Sequence, residues 1–173
     1  MAVTLTPAAL PSGTLRWSYH KDDDQRAWFL QTGGASLASL TMEKRFGSIA
    51  TARTAGATWR YERQGIFRKR FLISDEAGNQ IAEYSARWTG AGTITLRNGR
   101  RFAWKPSNFW STRWQLLESD NTRLLEYRLS SWSFQSSAEA TVAHAALKYR
   151  ELPFFLTFCW YLCILGRKDA AAA

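Results

Sequence analysis

The chain closes on one apolar run, interrupted only by Thr157: Leu152-Pro153-Phe154-Phe155-Leu156-Thr157-Phe158-Cys159-Trp160-Tyr161-Leu162-Cys163-Ile164-Leu165. No other segment restricts the fold so tightly. As an α-helix the run extends roughly 21 Å, at about 1.5 Å per residue, whereas a bilayer core is about 30 Å thick and takes about 20 residues. Length therefore disfavours a membrane span. The run is apolar around its whole circumference, so a helix made from it has to be surrounded by protein. Each large side chain gains roughly 1.5–3 kcal/mol on burial, which makes Phe154, Phe155, Phe158, Trp160, Tyr161, Leu162, Ile164 and Leu165 the expected core of the domain. Pro153 suits the first helical turn, where its missing N–H is no loss. Gly166 is expected just past the helix in a left-handed conformation, with Arg167 and Lys168 at the negative end of the dipole. The expected helix thus covers about 152–166, and residues 169–173 read as a disordered tail.

What surrounds the helix is set by the rest of the chain, where apolar and polar residues alternate in short runs broken by Gly, Asn, Asp or Ser. The expected strands are 15–19, 28–32, 36–41, 48–54, 57–64, 70–74, 81–88, 93–96, 101–105, 113–117, 124–129 and 133–141. Hairpin chemistry links several of them: Asp75-Glu76-Ala77-Gly78-Asn79 joins Phe71-Leu72-Ile73 to Ile81-Ala82-Glu83-Tyr84, and Asn98-Gly99 joins Ile94-Thr95-Leu96 to Phe102-Ala103-Trp104. An open sheet of so many short strands would leave unprotected edges, and closure removes them. A barrel of about eight strands fills with its own side chains, whereas one of about eleven or more has room for a helix. The expected fold is mainly β: a closed, roughly 12-stranded antiparallel barrel enclosing a hydrophobic C-terminal helix. It forms one domain over residues 15–168, preceded by an extension, 1–14.

Charge bounds the partners. Twenty-three Lys and Arg against fourteen Asp and Glu give +9, which favours anionic surfaces: membrane lipid, acidic protein or nucleic acid. Arg68, Lys69 and Arg70, with Arg97, Arg100, Arg101 and Lys105, sit near hairpin ends, and Trp88, Trp104 and Trp110 are close in sequence. Together they are the candidate anion- or lipid-binding residues, with indoles suited to a membrane interface. A plainer reading makes them solvated outward positions of strands that discourage edge pairing. Nucleic-acid binding is disfavoured because no recognised RNA or DNA motif is present.

Catalytic readings find little support. His20 and His144 stand far apart without metal-ligand spacing. Asp22-Asp23-Asp24 lacks the mid-loop Gly and distal Glu of a calcium loop, and neither Gly33-Gly34 nor Gly90-Ala91-Gly92 is followed by what a phosphate-binding loop needs. Cys159 and Cys163 lie four apart inside the apolar run and read as buried, reduced thiols. No catalytic residue, metal or cofactor is expected. Reduced cysteines, and the absence of a signal-peptide pattern over Met1–Pro11, point to a cytoplasmic protein, peripheral to membrane if lipid is its partner.

The hairpin Arg70–Ala82, followed by further hairpins and then Glu151-Leu152-Pro153 with its aromatic and aliphatic helix, resembles the tubby C-terminal-like domain, and more narrowly its LURP-one-related and phospholipid-scramblase branch. The resemblance runs over roughly residues 15–168. It implies a twelve-stranded barrel threaded by the C-terminal helix and, by analogy with tubby proteins, binding of phosphoinositide headgroups by basic side chains outside the barrel. The acidic calcium segment of scramblases has no counterpart, since Ser136–Glu151 holds only Glu139 and Glu151 as acids. Three functions are thus expected in order: a non-enzymatic module docking on anionic lipid or another acidic surface, an interaction or structural scaffold, and a tail-anchored or scramblase-like membrane protein.

Overall fold

The computed structural model describes residues 13–22, 25–43, 47–65, 69–130 and 137–172. Twelve strands follow one another along the chain: β1 (Gly13–Asp22), β2 (Gln25–Thr32), β3 (Ala35–Met42), β4 (Ala50–Thr54), β5 (Thr58–Gln64), β6 (Arg70–Asp75), β7 (Gln80–Ala86), β8 (Gly92–Leu96), β9 (Arg101–Pro106), β10 (Arg113–Leu117), β11 (Arg123–Leu129) and β12 (Ala138–Val142). Each pairs antiparallel with its sequence neighbour, and β12 returns to β1 to close the barrel. Closure is in register, with Trp17 opposite Ala138 and Leu15 opposite Ala140. The last expected strand, 133–141, begins within 131–136, which lies outside the described residues; its observed part is β12.

Period-two alternation does the sorting. On β9, Phe102 and Trp104 face inward while Arg101 and Lys105 face solvent. The interior is wide enough for one helix, α1 (Leu152–Ala172), in which every residue from Leu152 to Leu165 is buried. All eight expected core residues of the helix are among them. Fit comes from pairing large with small. The Trp160 indole stacks on Trp17 at 5.8 Å and on Tyr127 at 6.3 Å between ring centres. Ala138 and Ala140, the cross-strand partners of Trp17 and Tyr127, leave room for it.

The buried hydroxyls of Thr157, Tyr61 and Tyr127 are hydrogen-bonded, whereas the indole nitrogens of Trp28 and Trp160 have no partner among the described residues. Thr157 Oγ1 lies 2.6 Å from Tyr61 Oη and 3.1 Å from the carbonyls of Pro153 and Phe154. Those carbonyls only accept, so Thr157 donates to its own helix and Tyr61 donates to Thr157. Tyr127 donates to the Leu156 carbonyl at 2.5 Å and accepts from Trp17 Nε1 at 3.4 Å. Burial pushes both tyrosines well above the ordinary phenol value, so they remain neutral donors.

The helix corrects the expected boundary. It does not stop before Gly166, which takes no left-handed conformation, but continues through 169–172. Tertiary anchors hold this extension: Lys168 Nζ donates to the Gly47 carbonyl at 2.7 Å, and Asp169 pairs with Arg63 at 3.0 Å and Lys69 at 3.3 Å. Burial alone would raise the Asp169 pKa, but the hydrogen bonds and charges of Arg63 and Lys69 outweigh it and hold the carboxyl below its usual range. Such a group stabilises the fold above the pKa it has in the unfolded chain, about 3.9, and the contribution is lost as pH falls through the folded value. Asp169→Asn is accordingly expected to cost about 0.5–1 kcal/mol near neutrality, the discounted worth of a part-exposed pair. Urea unfolding at pH 7 and again in acid checks this, because the difference from wild type should shrink as pH falls below the unfolded value.

Candidate functional site

The two mouths of the barrel differ. At the closed end, where α1 begins, a short 3-10 helix (His144–Lys148) and Tyr149 cover the opening. Tyr149 donates to Glu118, Arg100 lies 4.7 Å from the Tyr149 ring centre, and Lys148 pairs with Glu118 at 3.2 Å. At the open end, where α1 emerges, a cavity of about 470 Å³ lies between the helix and the wall formed by β6–β11. Its lining includes Phe71, Tyr84, Trp104, Trp114, Leu162 and Cys163, so it is largely apolar.

Two connections form the outer lip, and each is locally fixed. Between β7 and β8 the chain turns through Arg87-Trp88-Thr89-Gly90; Gly90 N–H donates to the Arg87 carbonyl at 3.0 Å, and Tyr84 Oη donates to the Gly90 carbonyl at 2.8 Å. Gly90 has φ +86°, a conformation costly for any side chain, which explains glycine at the end of this turn. Between β9 and β10, Asn108 Oδ1 accepts from the N–H groups of Thr112 and Arg113, and Trp114 Nε1 donates to the Ser111 carbonyl at 2.9 Å. Ser111 itself sits at φ +52°, unusual for a residue other than glycine. These constraints turn three large side chains to solvent: Trp88 is 92% exposed, Phe109 89% and Trp110 73%. The last two are also in edge contact, 5.3 Å apart.

The structure divides the sequence-derived cations instead of collecting them. Lys69, Arg70 and Lys105 lie toward the open end; Arg97, Arg100 and Arg101 lie at the closed end, because β9 runs from one mouth to the other. Arg68 lies outside the described residues. Lys69 is engaged with Asp169, Arg70 with Glu83 at 2.5 Å, and Arg100 with Tyr149 and Glu118. Trp104 is buried in the barrel wall, so of the three indoles expected near a patch only Trp88 and Trp110 are available at the surface.

Sequence reasoning missed other cations. Arg87, Arg113 and Arg128 are exposed near the open mouth, as is Lys105, and none has an ion-pair partner among the described residues. Arg113 and Arg128 are directly opposite across the β10–β11 pair, a like-charge juxtaposition that costs stability. Arg167, expected at the helix dipole, lines the cavity, and its Nη1 is buried without a hydrogen-bond partner among the described residues. Burial lowers its pKa, partly offset by Cys163. The signal available in sequence was Phe109-Trp110 inside a connection, where polar residues are the rule.

Cys159 and Cys163 are free and buried, and burial pushes both thiols up, away from reactivity. Among the described residues no group of three His, Cys, Asp or Glu is placed to hold a metal ion, and no helix is long and apolar enough to cross a membrane. Asp23 and Asp24 lie outside the described residues.

A closed antiparallel barrel threaded by its own C-terminal helix, plugged at one mouth and cavity-bearing at the other, is the class of domain these features define. It is similar to the crystal structure of a protein from Arabidopsis thaliana, with a TM-score of 0.57 over 96% of this chain and 98% of that one, at 9% sequence identity. At that identity the likeness is one of fold alone. No protein-family model and no curated protein matches the sequence.

Proposed function

We propose that the chain is a non-enzymatic module that docks on anionic membrane lipid through the open end of the barrel. The observation that carries this reading is the exposure of Trp88, Phe109 and Trp110 on two neighbouring, internally braced connections at one mouth. Clustered exposed apolar side chains mark an interaction surface, and indoles settle at the boundary between headgroups and hydrocarbon. Arg87, Lys105, Arg113 and Arg128 stand around the same mouth, and each cation near an anionic leaflet adds about 1 kcal/mol of attraction. An acidic protein surface is the second reading, since buried aromatics also anchor protein interfaces.

Sedimentation with phosphatidylcholine vesicles, with and without phosphatidylserine, separates the two. Binding is expected only to the anionic vesicles, weakening as salt rises because screening acts over about 10 Å at 0.1 M. Trp88→Ala combined with Trp110→Ala should reduce binding roughly tenfold, the loss of part of two apolar anchors. Arg97→Gln combined with Arg101→Gln, at the closed end, should leave it unchanged. Absent or salt-insensitive binding removes the lipid reading and leaves the protein partner.

A further inference from the structure

We propose that the cavity at the open end binds one long-chain carboxylate, its alkyl tail against the indole-rich wall and its headgroup at Arg167. The site lies inside the barrel mouth and needs no membrane, although Trp88 of the lip also borders it.

Size and lining define the tail. At about 470 Å³ the cavity falls within the roughly 300–1,000 Å³ of sites that enclose small ligands. Trp104 and Trp114, stacked 5.5 Å apart, line it from the barrel side, and Leu162 and Cys163 line it from the helix. Polar residues, Lys69 and Asp169 among them, also line it, but Lys69 and Asp169 are engaged with each other and apolar surface predominates. The surface suits an unbranched hydrocarbon, bound by area and dispersion.

Charge defines the headgroup. Arg167 Nη1 is buried and has no hydrogen-bond partner among the described residues, although it lines the cavity. The neighbouring acid, Asp169, is already shared between Arg63 and Lys69 and does not satisfy it. A buried donor left without an acceptor is costly, and an anion reaching it forms the stronger, charge-assisted kind of bond. A neutral alcohol can accept from that nitrogen only through an uncharged oxygen, a weaker bond, and a cation would meet repulsion. Thr112, also in the lining, accepts from Asn108 Nδ2 and so keeps its own O–H for a second carboxylate oxygen.

The test uses the full chain in buffer free of detergent and vesicles. Calorimetric titration with dodecanoate below its micelle concentration should show one molecule bound per chain, and dodecanol should bind roughly tenfold more weakly. A bromine-bearing probe, 11-bromoundecanoate, should quench tryptophan emission because Trp104 and Trp114 line the site. Arg167→Gln should bring dodecanoate to the level of dodecanol, while Arg167→Lys should retain the preference. Gly166 also lines the cavity, and a Cβ added there meets nothing within 4 Å. Gly166→Leu should therefore obstruct both ligands with an unchanged circular dichroism spectrum, since leucine also favours helix over glycine. No binding of dodecanoate, equal affinity for dodecanol, or wild-type binding by Gly166→Leu overturns the proposal. Vesicle sedimentation of the wild-type chain reads membrane docking and titration in vesicle-free buffer reads the cavity, so either result can fail without the other.

Discussion

Phe158→Asp is expected to yield no folded protein. Phe158 is fully buried midway along the threaded helix, with ring centres 5.1 Å from Tyr61, 5.6 Å from Phe154 and 5.8 Å from Tyr84 and Tyr161. Removing a buried phenyl ring costs about 3–5 kcal/mol through lost burial and the space left behind. The new carboxylate adds the penalty of an uncompensated buried charge, because no cation is among those ring neighbours. Native domains are stable by only about 5–15 kcal/mol, so the combined loss is of the order of the whole. Phe158→Leu keeps an apolar side chain and should lose only about 1–3 kcal/mol. Thermal unfolding followed by near-ultraviolet circular dichroism distinguishes the two variants. A cooperative transition near the wild-type temperature for Phe158→Asp would mean that the helix does not occupy the barrel.

The same enclosure explains why so much of the architecture is legible in the sequence. A strand that buries one face must alternate, and Phe102 and Trp104 against Arg101 and Lys105 do so without exception. A helix buried on all sides needs no polar stripe, and none is present from Leu152 to Leu165. The helix terminus was not legible in this way. Gly166 is a local stop signal, but Lys168 and Asp169 bind carbonyl and cationic partners 100 to 121 residues earlier, and those contacts override it.

The site was less legible than the fold because nearness along a strand is not nearness at a surface. Arg101 and Lys105 are four residues apart, yet at about 3.4 Å per residue they stand about 14 Å from each other along the strand, toward opposite mouths. Cations that do share the open mouth, such as Arg87, Arg113 and Arg128, come from three different strands or turns and come together only through strand pairing. The cavity is further removed still. It depends on the space beside Gly166 and on the position of Trp114, neither of which periodicity specifies.

Gly92→Ala is expected to be the most damaging small substitution in the barrel wall. A Cβ at this position would lie 2.3 Å from the Ser85 carbonyl oxygen and 2.6 Å from Cζ of Tyr84. The second contact is with a side chain, but Tyr84 is held where it is: it is buried, packs on Phe71 and Phe158, and donates to the Gly90 carbonyl. The first contact is with backbone on the paired strand, so only separation of β7 from β8 relieves it. Overpacking in a dense interior costs about 1–3 kcal/mol and more when backbone must move. A loss of at least about 3 kcal/mol is therefore expected, measured by urea unfolding, although alanine is barely larger than glycine. Combining it with Tyr84→Leu tests the reasoning: that change removes the ring but not the Ser85 carbonyl, and the double variant should remain strongly destabilised. Recovery to the level of Tyr84→Leu alone would place the conflict in the ring, and strand spacing at this point would then not be what requires glycine.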